Sequence, residues 1–230
     1  MSRAELSEYI GVGLYTVPQA ARLAHVPASA ISRWVFGYSY RYGEQRVSQP
    51  AVVRAELSGP ERERVLTFRD LIEVQFVHAF RKMGVSWKVI RLAAEKAKSI
   101  IETDHPFSSQ KFLSDGRSIF ADLATNSRHR ALVNLVSNQL LFRSVMLPAL
   151  RAGLDFEGPA VIRWWPLGKK RPVVVDPDRQ FGQPISQEGV PTSVLAGAFE
   201  SMGSMDRVAR WYDVSKKSVK ASIEFERKAA

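Results

Sequence analysis

The chain has 230 residues, 45% of them hydrophobic, with a net charge of +10 and a pI near 10.0. That hydrophobic content supports packed cores and excludes a chain disordered throughout. The absence of cysteine excludes disulfides, thiolate metal sites and a cysteine nucleophile. No apolar run approaches the ~18 residues of a membrane span. The N-terminus lacks the basic, apolar, small-residue order of a signal peptide, so a soluble cytoplasmic protein is expected. The excess of 33 Lys and Arg over 23 Asp and Glu favours a polyanionic partner such as DNA, RNA or an acidic protein surface. The alternative is an ordinary solvated basic surface.

Residues 15–24 predict a helix entered through Thr16. Its hydroxyl caps the first turn, and Pro18 stands where a missing N–H costs nothing. Val17, Ala20, Ala21 and Leu23 give a small-residue apolar face that lets a second helix cross closely. His25, Val26 and Pro27 form the turn. A second helix then starts at Pro27 or Ala28, packs through Ala30, Ile31, Trp34 and Val35, and projects Ser29, Ser32 and Arg33. This is the layout of a helix-turn-helix, whose second helix enters the major groove. Ser29, Ser32 and Arg33 are the candidate contacts to base edges or phosphates. A plain helical hairpin is the alternative; the short turn combined with a small-residue helix favours DNA.

Residues 36–50 are rich in Tyr, Gly and Arg, and read as a β-wing or a disordered loop. In the wing, Arg41 and Arg46 reach the phosphate backbone and the tyrosines pack. Thr67 is expected to cap a helix buried through Leu71, Ile72, Val74, Phe76, Val77, Phe80 and Met83, and ended by Gly84. Ser86 caps the next helix, which buries Trp87, Val89, Ile90, Leu92 and Ala93 and shows Lys88, Arg91, Lys96 and Lys98 to solvent.

The opening Tyr-Thr-Val-Pro-Gln-Ala-Ala, the wing, and Leu-Thr-Phe-Arg-Asp-Leu with Arg-Lys-Met-Gly-Val-Ser make residues 15–98 resemble the MerR-type winged-helix module. The resemblance implies DNA binding as a symmetric dimer. Two departures matter. Arg33-Trp34-Val35 replaces the usual Arg-Tyr-Tyr, and the long dimerising coiled coil and effector domain are absent, which argues against a small-molecule or metal sensor.

The middle, residues 99–170, reads as a hairpin turning at Asp115-Gly116 and a basic cluster at Arg128-His129-Arg130. An apolar run over residues 131–142 is compatible with helix or strand. Residues 160–167 predict a strand, and Lys169, Lys170 and Arg171 a charged turn.

From Val173 a short strand runs into the Asp176-Pro177-Asp178 turn and a Gly182-Gln183-Pro184 hairpin. Pro191 starts a helix with apolar positions Val194, Leu195, Ala198 and Phe199, and Gly203 ends it. Ser204 caps the next helix, packed through Val208, Ala209, Trp211 and Tyr212. After the turn at Asp213-Val214-Ser215 a last helix begins near Lys216, packing through Val219, Ala221, Ile223 and Phe225.

The order Val-Val-Val-Asp-Pro, Phe-Gly-Gln-Pro-Ile, Gly-Val-Pro-Thr-Ser and Val-Ala-Arg-Trp-Tyr-Asp-Val-Ser resembles a small prokaryotic domain of VapB-like antitoxins over residues 172–225. Members usually read Gly-Thr-Arg where this chain has Gly189-Val190-Pro191. The resemblance implies a PIN-domain (VapC-like) ribonuclease toxin as partner. Lys216, Lys217 and Lys220 are candidate phosphate contacts, but Glu224 and Glu226 share their helix, so this surface suits DNA or a protein partner equally.

His25, His78, His105 and His129 show no metal-ligand spacing, and no phosphate loop, nucleophile elbow or paired-carboxylate motif occurs. No enzyme activity, cofactor or metal is expected. The fold class expected is mainly α with a small β component (α+β). The expected segments are a winged helix-turn-helix over 1–100, a strand-containing connector over 101–171 and an antitoxin-like helix-turn-helix over 172–230. The functional expectation is an antitoxin that neutralises its toxin by direct binding and represses its operon as a homodimer on operator DNA. The alternatives are a stand-alone DNA-binding regulator and a structural interaction module.

Overall fold

The computed structural model describes residues 11–57, 64–112 and 151–229. The readings at Asp115-Gly116, at Arg128-His129-Arg130 and over 131–142 lie outside the described residues. The architecture is α+β, with helices dominant and three small sheets among the described residues.

Two compact units emerge: Tyr15–Arg151 with Glu157–Val161, and Met1–Leu14 with Ala152–Phe156 and Ile162–Ala230. Residues 162–171 fall in the C-terminal unit.

In the N-terminal unit the order is β1 (Leu14–Thr16), α1 (Val17–Ala24), α2 (Ala28–Phe36), β2 (Tyr38–Tyr42), β3 (Gln45–Gln49), β4 (Val65–Thr67), α3 (Phe68–Lys82) and α4 (Trp87–Ile101). β1 pairs with β4, and β2 with β3. Local chemistry specifies where these helices start. Thr67 accepts from the Asp70 N–H while Asp70 accepts from the Thr67 N–H at 3.0 Å, a reciprocal capping box. Ser86 accepts from Val89 N–H. The core is aromatic: Phe76, Phe80, Phe107 and Phe112 are buried, and their rings meet mostly edge to face, with Phe107 and Phe112 centroids 4.9 Å apart.

Two carboxylates lie inside this unit. Asp70 and Glu73 are buried, three residues apart on α3. Asp70 also accepts from Glu56 N–H at 3.2 Å, and Glu73 accepts from Ser108 N–H at 2.7 Å. Their backbone partners thus tie the segment after β3 and the segment after α4 to one helix. Burial pushes the Asp70 carboxyl up to about 7 and the Glu73 carboxyl up to about 8. His105 Nδ1 lies 3.7 Å from Asp70 Oδ1, and burial holds that imidazole below its ordinary range.

Several packing expectations are corrected. Leu92 is exposed and Trp87 and Met83 are only half-buried. On α4 the buried line is Val89, Ile90, Ala93 and Ala97, and the two alanines leave Leu92 at its flank. Arg91, expected in solvent, is half-buried and donates to Pro50 O at 3.1 Å. Trp87 instead supports the Arg81 guanidinium, 4.7 Å above its ring.

The C-terminal unit holds most of a sheet ordered β5-β6-β7-β8, followed by three helices. Its elements are β5 (Leu154–Glu157), β6 (Ala160–Trp164), β7 (Val173–Val175), β8 (Pro184–Ser186), α5 (Thr192–Met202), α6 (Met205–Trp211) and α7 (Lys216–Ala229). β7 and β8 are buried at every position, as a strand covered on both faces must be. Leu195, Val208, Val214 and Val219 form the helical core, joined by Val190, Phe199, Met202 and Ile223. Gly203 ends α5 in the left-handed region and Ser204 caps α6, as expected. Trp211, expected to pack, is 75% exposed: the core is closed from the other side of α6 by Val208 and Ala209.

Candidate nucleic-acid interface

Local rules position the first helix-turn-helix. Thr16 Oγ1 accepts from Gln19 N–H at 3.3 Å, and Gln19 Oε1 accepts from Thr16 N–H at 2.8 Å. His25 then takes the left-handed conformation (φ 52°, ψ 42°) and ends α1, and Val26 N–H donates to Ala21 O at 3.1 Å. α2 buries Ile31, Trp34 and Val35. That orientation leaves Ser29 and Arg33 exposed and Ser32 half-buried.

The chain leaves α2 through Gly37, which has φ +70°; a Cβ there would lie 2.7 Å from Gln49 O. The hairpin returns to the same place, because Val52 and Val53 N–H both donate to Trp34 O, at 2.7 and 3.0 Å. Gly37 is therefore the joint between helix and wing. Gly37→Ala is expected to lower the melting temperature and weaken DNA binding together, with a cost above ~1 kcal/mol for the left-handed backbone and the clash. A gel-shift titration alongside thermal unfolding checks this.

The wing's register sorts its side chains. Tyr38, Tyr40 and Tyr42 alternate onto one face with Gln49, Val47 and Gln45, and Arg41 stands directly opposite Arg46 on the other. The tyrosines are 43%, 44% and 77% exposed. Arg33 of α2 lies 5.5 Å from the centre of the Tyr38 ring, so helix and wing share a continuous surface. Two like charges paired across strands repel. Neither Arg41 nor Arg46 has an acidic partner among the described residues. An anion placed between them relieves that repulsion.

The second helix-turn-helix, α6 and α7, differs electrostatically. Lys216 is paired with Asp206 at 3.0 Å. Lys217 and Lys220 are exposed without an acidic partner among the described residues. Glu224 holds both Arg171 at 2.5 Å and Lys228 at 3.0 Å. The first turn of α7 carries no acid, so Glu188 substitutes from upstream, accepting from Ser215 N–H at 3.0 Å and from Ser218 Oγ at 2.9 Å. Burial pushes the Glu188 carboxyl up, but these bonds outweigh it and hold it below its ordinary range.

Ser29, Ser32, Arg33, Arg41 and Arg46 thus fall in one unit, and Lys216, Lys217 and Lys220 in the other. The wing tyrosines, expected to pack, instead form an exposed face of their own. The alternation Tyr-Ser-Tyr-Arg-Tyr over residues 38–42, read at period two, was the signal that could have found them. Among the described residues no group of three or more His, Asp or Glu is placed to hold a metal, and no helix is long and apolar enough to cross a membrane.

Fold and surface together define a two-unit α+β chain with a winged helix-turn-helix in its N-terminal unit. Residues 13–94 match a protein-family model described as "Putative DNA-binding HTH domain". The chain is 25% identical, over 96% of both sequences, to a Mycobacterium tuberculosis protein described as "Putative antitoxin VapB45". Its fold is that of the crystal structure of Rv2018 from Mycobacterium tuberculosis, with a TM-score of 0.68 at 19% identity over 94% of this chain and 99% of that one.

Proposed function

We propose that this protein is a type II antitoxin. It binds and silences a PIN-domain, VapC-like ribonuclease, and as a homodimer it represses its own operon through a MerR-type winged helix-turn-helix. The observation that carries the reading is the similarity to a described antitoxin along nearly the whole chain, combined with a DNA-binding domain match over a surface whose Arg41 and Arg46 have no acidic partner among the described residues. On operator DNA, Arg33, Ser29 and Ser32 contact base edges and Arg41 and Arg46 take phosphates. Lys216, Lys217 and Lys220 supply further phosphate contacts. Neutralisation is occlusion of the toxin's acidic, metal-binding cleft. It needs no chemistry from this chain and no cofactor, and it takes place in the cytoplasm.

The test is co-expression with the product of the neighbouring gene, affinity pull-down and a ribonuclease assay, with a gel shift on the chain's own upstream DNA. A stable complex with silenced nuclease and a specific shift are the expected results. No co-purifying nuclease with an intact shift would leave a stand-alone regulator. That second reading draws on the winged surface, where Arg41 and Arg46 lack acidic partners among the described residues.

A further inference from the structure

The wing has two faces, and its arginines account for only one. Arg41 and Arg46 stand opposite each other on that face, so Tyr38, Tyr40 and Tyr42 fall on the other with Gln49, Val47 and Gln45. The tyrosine face carries no acid: Glu44, the one carboxylate of the hairpin, sits in its turn. All three tyrosines are exposed, and none of their hydroxyls has a hydrogen-bond partner among the described residues. The rings are nonetheless ordered. Tyr38 and Tyr40 stack, with centroids 6.1 Å apart and planes 28° from parallel, and the Arg33 guanidinium lies over the Tyr38 ring. Stacking turns ring faces toward one another and toward Arg33, and leaves ring edges and hydroxyls for a ligand. The face therefore offers phenol O–H and amide N–H donors beside a cation.

Those features select the occupant. An oxygen-rich polyanion satisfies the donors and the cation together, whereas an apolar protein pocket would leave the hydroxyls unpaired. A single strand needs flat aromatic faces on which its bases stack, and here the faces of Tyr38 and Tyr40 meet each other. Duplex DNA presents phosphates outward, and tyrosine hydroxyls are ordinary donors to them. The face is also joined through Arg33 to α2, within the segment that matches the DNA-binding family model. We infer that Tyr40 and Tyr42 donate to phosphates of operator DNA from the side of the wing opposite Arg41 and Arg46. One backbone cannot meet both faces of a hairpin. The wing therefore stands in a groove, with one strand's phosphates on its tyrosines and the other strand's on its arginines. The inference rests on the DNA-binding half of the proposed function and is independent of the toxin.

The experiment uses the full chain and its own upstream DNA, and compares wild type with the double variant Tyr40→Phe, Tyr42→Phe. Phenylalanine keeps the ring and the strand preference, so the melting temperature is expected to stay at the wild-type value. Affinity for operator and unrelated duplexes is expected to fall at least roughly tenfold, as loss of hydrogen bonds to a charged acceptor implies. The slope of log affinity against log salt stays unchanged, because no cation is removed; loss of Arg41 and Arg46 lowers it. Phosphate-ethylation interference is expected to vanish from one strand of each half-site in the tyrosine variant and from the other strand in the arginine variant. Duplex affinity within about twofold of wild type, on the same scale, overturns the inference and leaves the DNA-binding reading standing. So does a salt slope that falls with the affinity, a marked drop in melting temperature, or interference lost from the same strand in both variants. A loss confined to a single-stranded probe assigns the face to unpaired bases, and dissociation of the homodimer assigns it to a second copy; either overturns the inference. If the wild-type chain shifts no duplex, the DNA-binding reading falls and the inference with it.

Discussion

Arg33→Ala is expected to reduce discrimination between operator and unrelated DNA sharply while leaving toxin binding intact. The guanidinium projects from the exposed side of α2, and its anchor is a tyrosine ring rather than a carboxylate, so it is free to exchange that contact for a base. A bidentate arginine–base contact contributes about 1–3 kcal/mol of discrimination, roughly a factor of 5 to 150. Arg41→Ala with Arg46→Ala is expected to behave differently. Affinity falls on all sequences alike, and for the proposed homodimer the slope of log affinity against log salt drops by about four, near 0.9 for each of the four lost phosphate contacts. Gel shifts on operator and scrambled duplexes at several salt concentrations separate the two effects. Unchanged operator preference in Arg33→Ala would overturn the assignment of α2 as the reading helix.

The second large effect is on stability against pH. Asp70 and Glu73 have folded values of about 7 and about 8, well above their unfolded values of 3.8 and 4.5. The folded state therefore holds protons that the unfolded chain has already released. Their contribution is fully present below about pH 4, declines as pH rises, and is gone once pH passes the folded values. His105 and His78 oppose this at low pH: their imidazoles are held down by burial, so the unfolded chain takes their protons first below about 6.5. The clean window is about pH 6.5 to 9, where the N-terminal unit is expected to lose several kcal/mol, since a tenfold difference in proton affinity between folded and unfolded states is worth about 1.4 kcal/mol. Glu73→Gln keeps an acceptor for Ser108 N–H and removes the charge. It is expected to raise the melting temperature at about pH 9, to change little at about pH 5, and to flatten the profile between. Equal profiles for variant and wild type would show that Glu73 is already ionised in the fold.

These carboxylates also mark where sequence reading stops. Thr16, Thr67, Ser86 and Ser204 signal helix starts through local chemistry, and the structure uses each one. The wing was readable from the Tyr, Gly and Arg content of residues 36–50 because a hairpin, too, is a local object. Asp70 and Glu73 look in sequence like ordinary charges on a helix. Their burial comes from Glu56 and Ser108, backbone partners 14 and 35 residues away. Trp211 failed for the same reason: on a two-turn helix, periodicity does not say which side meets the core, and α5 and α7 decide it. The candidate contacts on α2 were legible as a pattern, and the pairing of Arg41 with Arg46 required the strand register.

Glu188 has a practical implication for anyone wishing to graft the last helix-turn-helix onto another scaffold. The recognition-like helix α7 opens with two lysines, Lys216 and Lys217, at the end where the helix dipole disfavours cations. Ser215 caps that first turn by accepting from Ser218 N–H at 3.0 Å, and a second acceptor, Glu188, sits before α5, between β8 and the helices. A cassette cut at residue 191 would carry all three helices and the Ser215 cap but leave the Ser215 amide and Ser218 hydroxyl without that second acceptor. The transferable unit is thus larger than the helices alone and has to start ahead of Glu188.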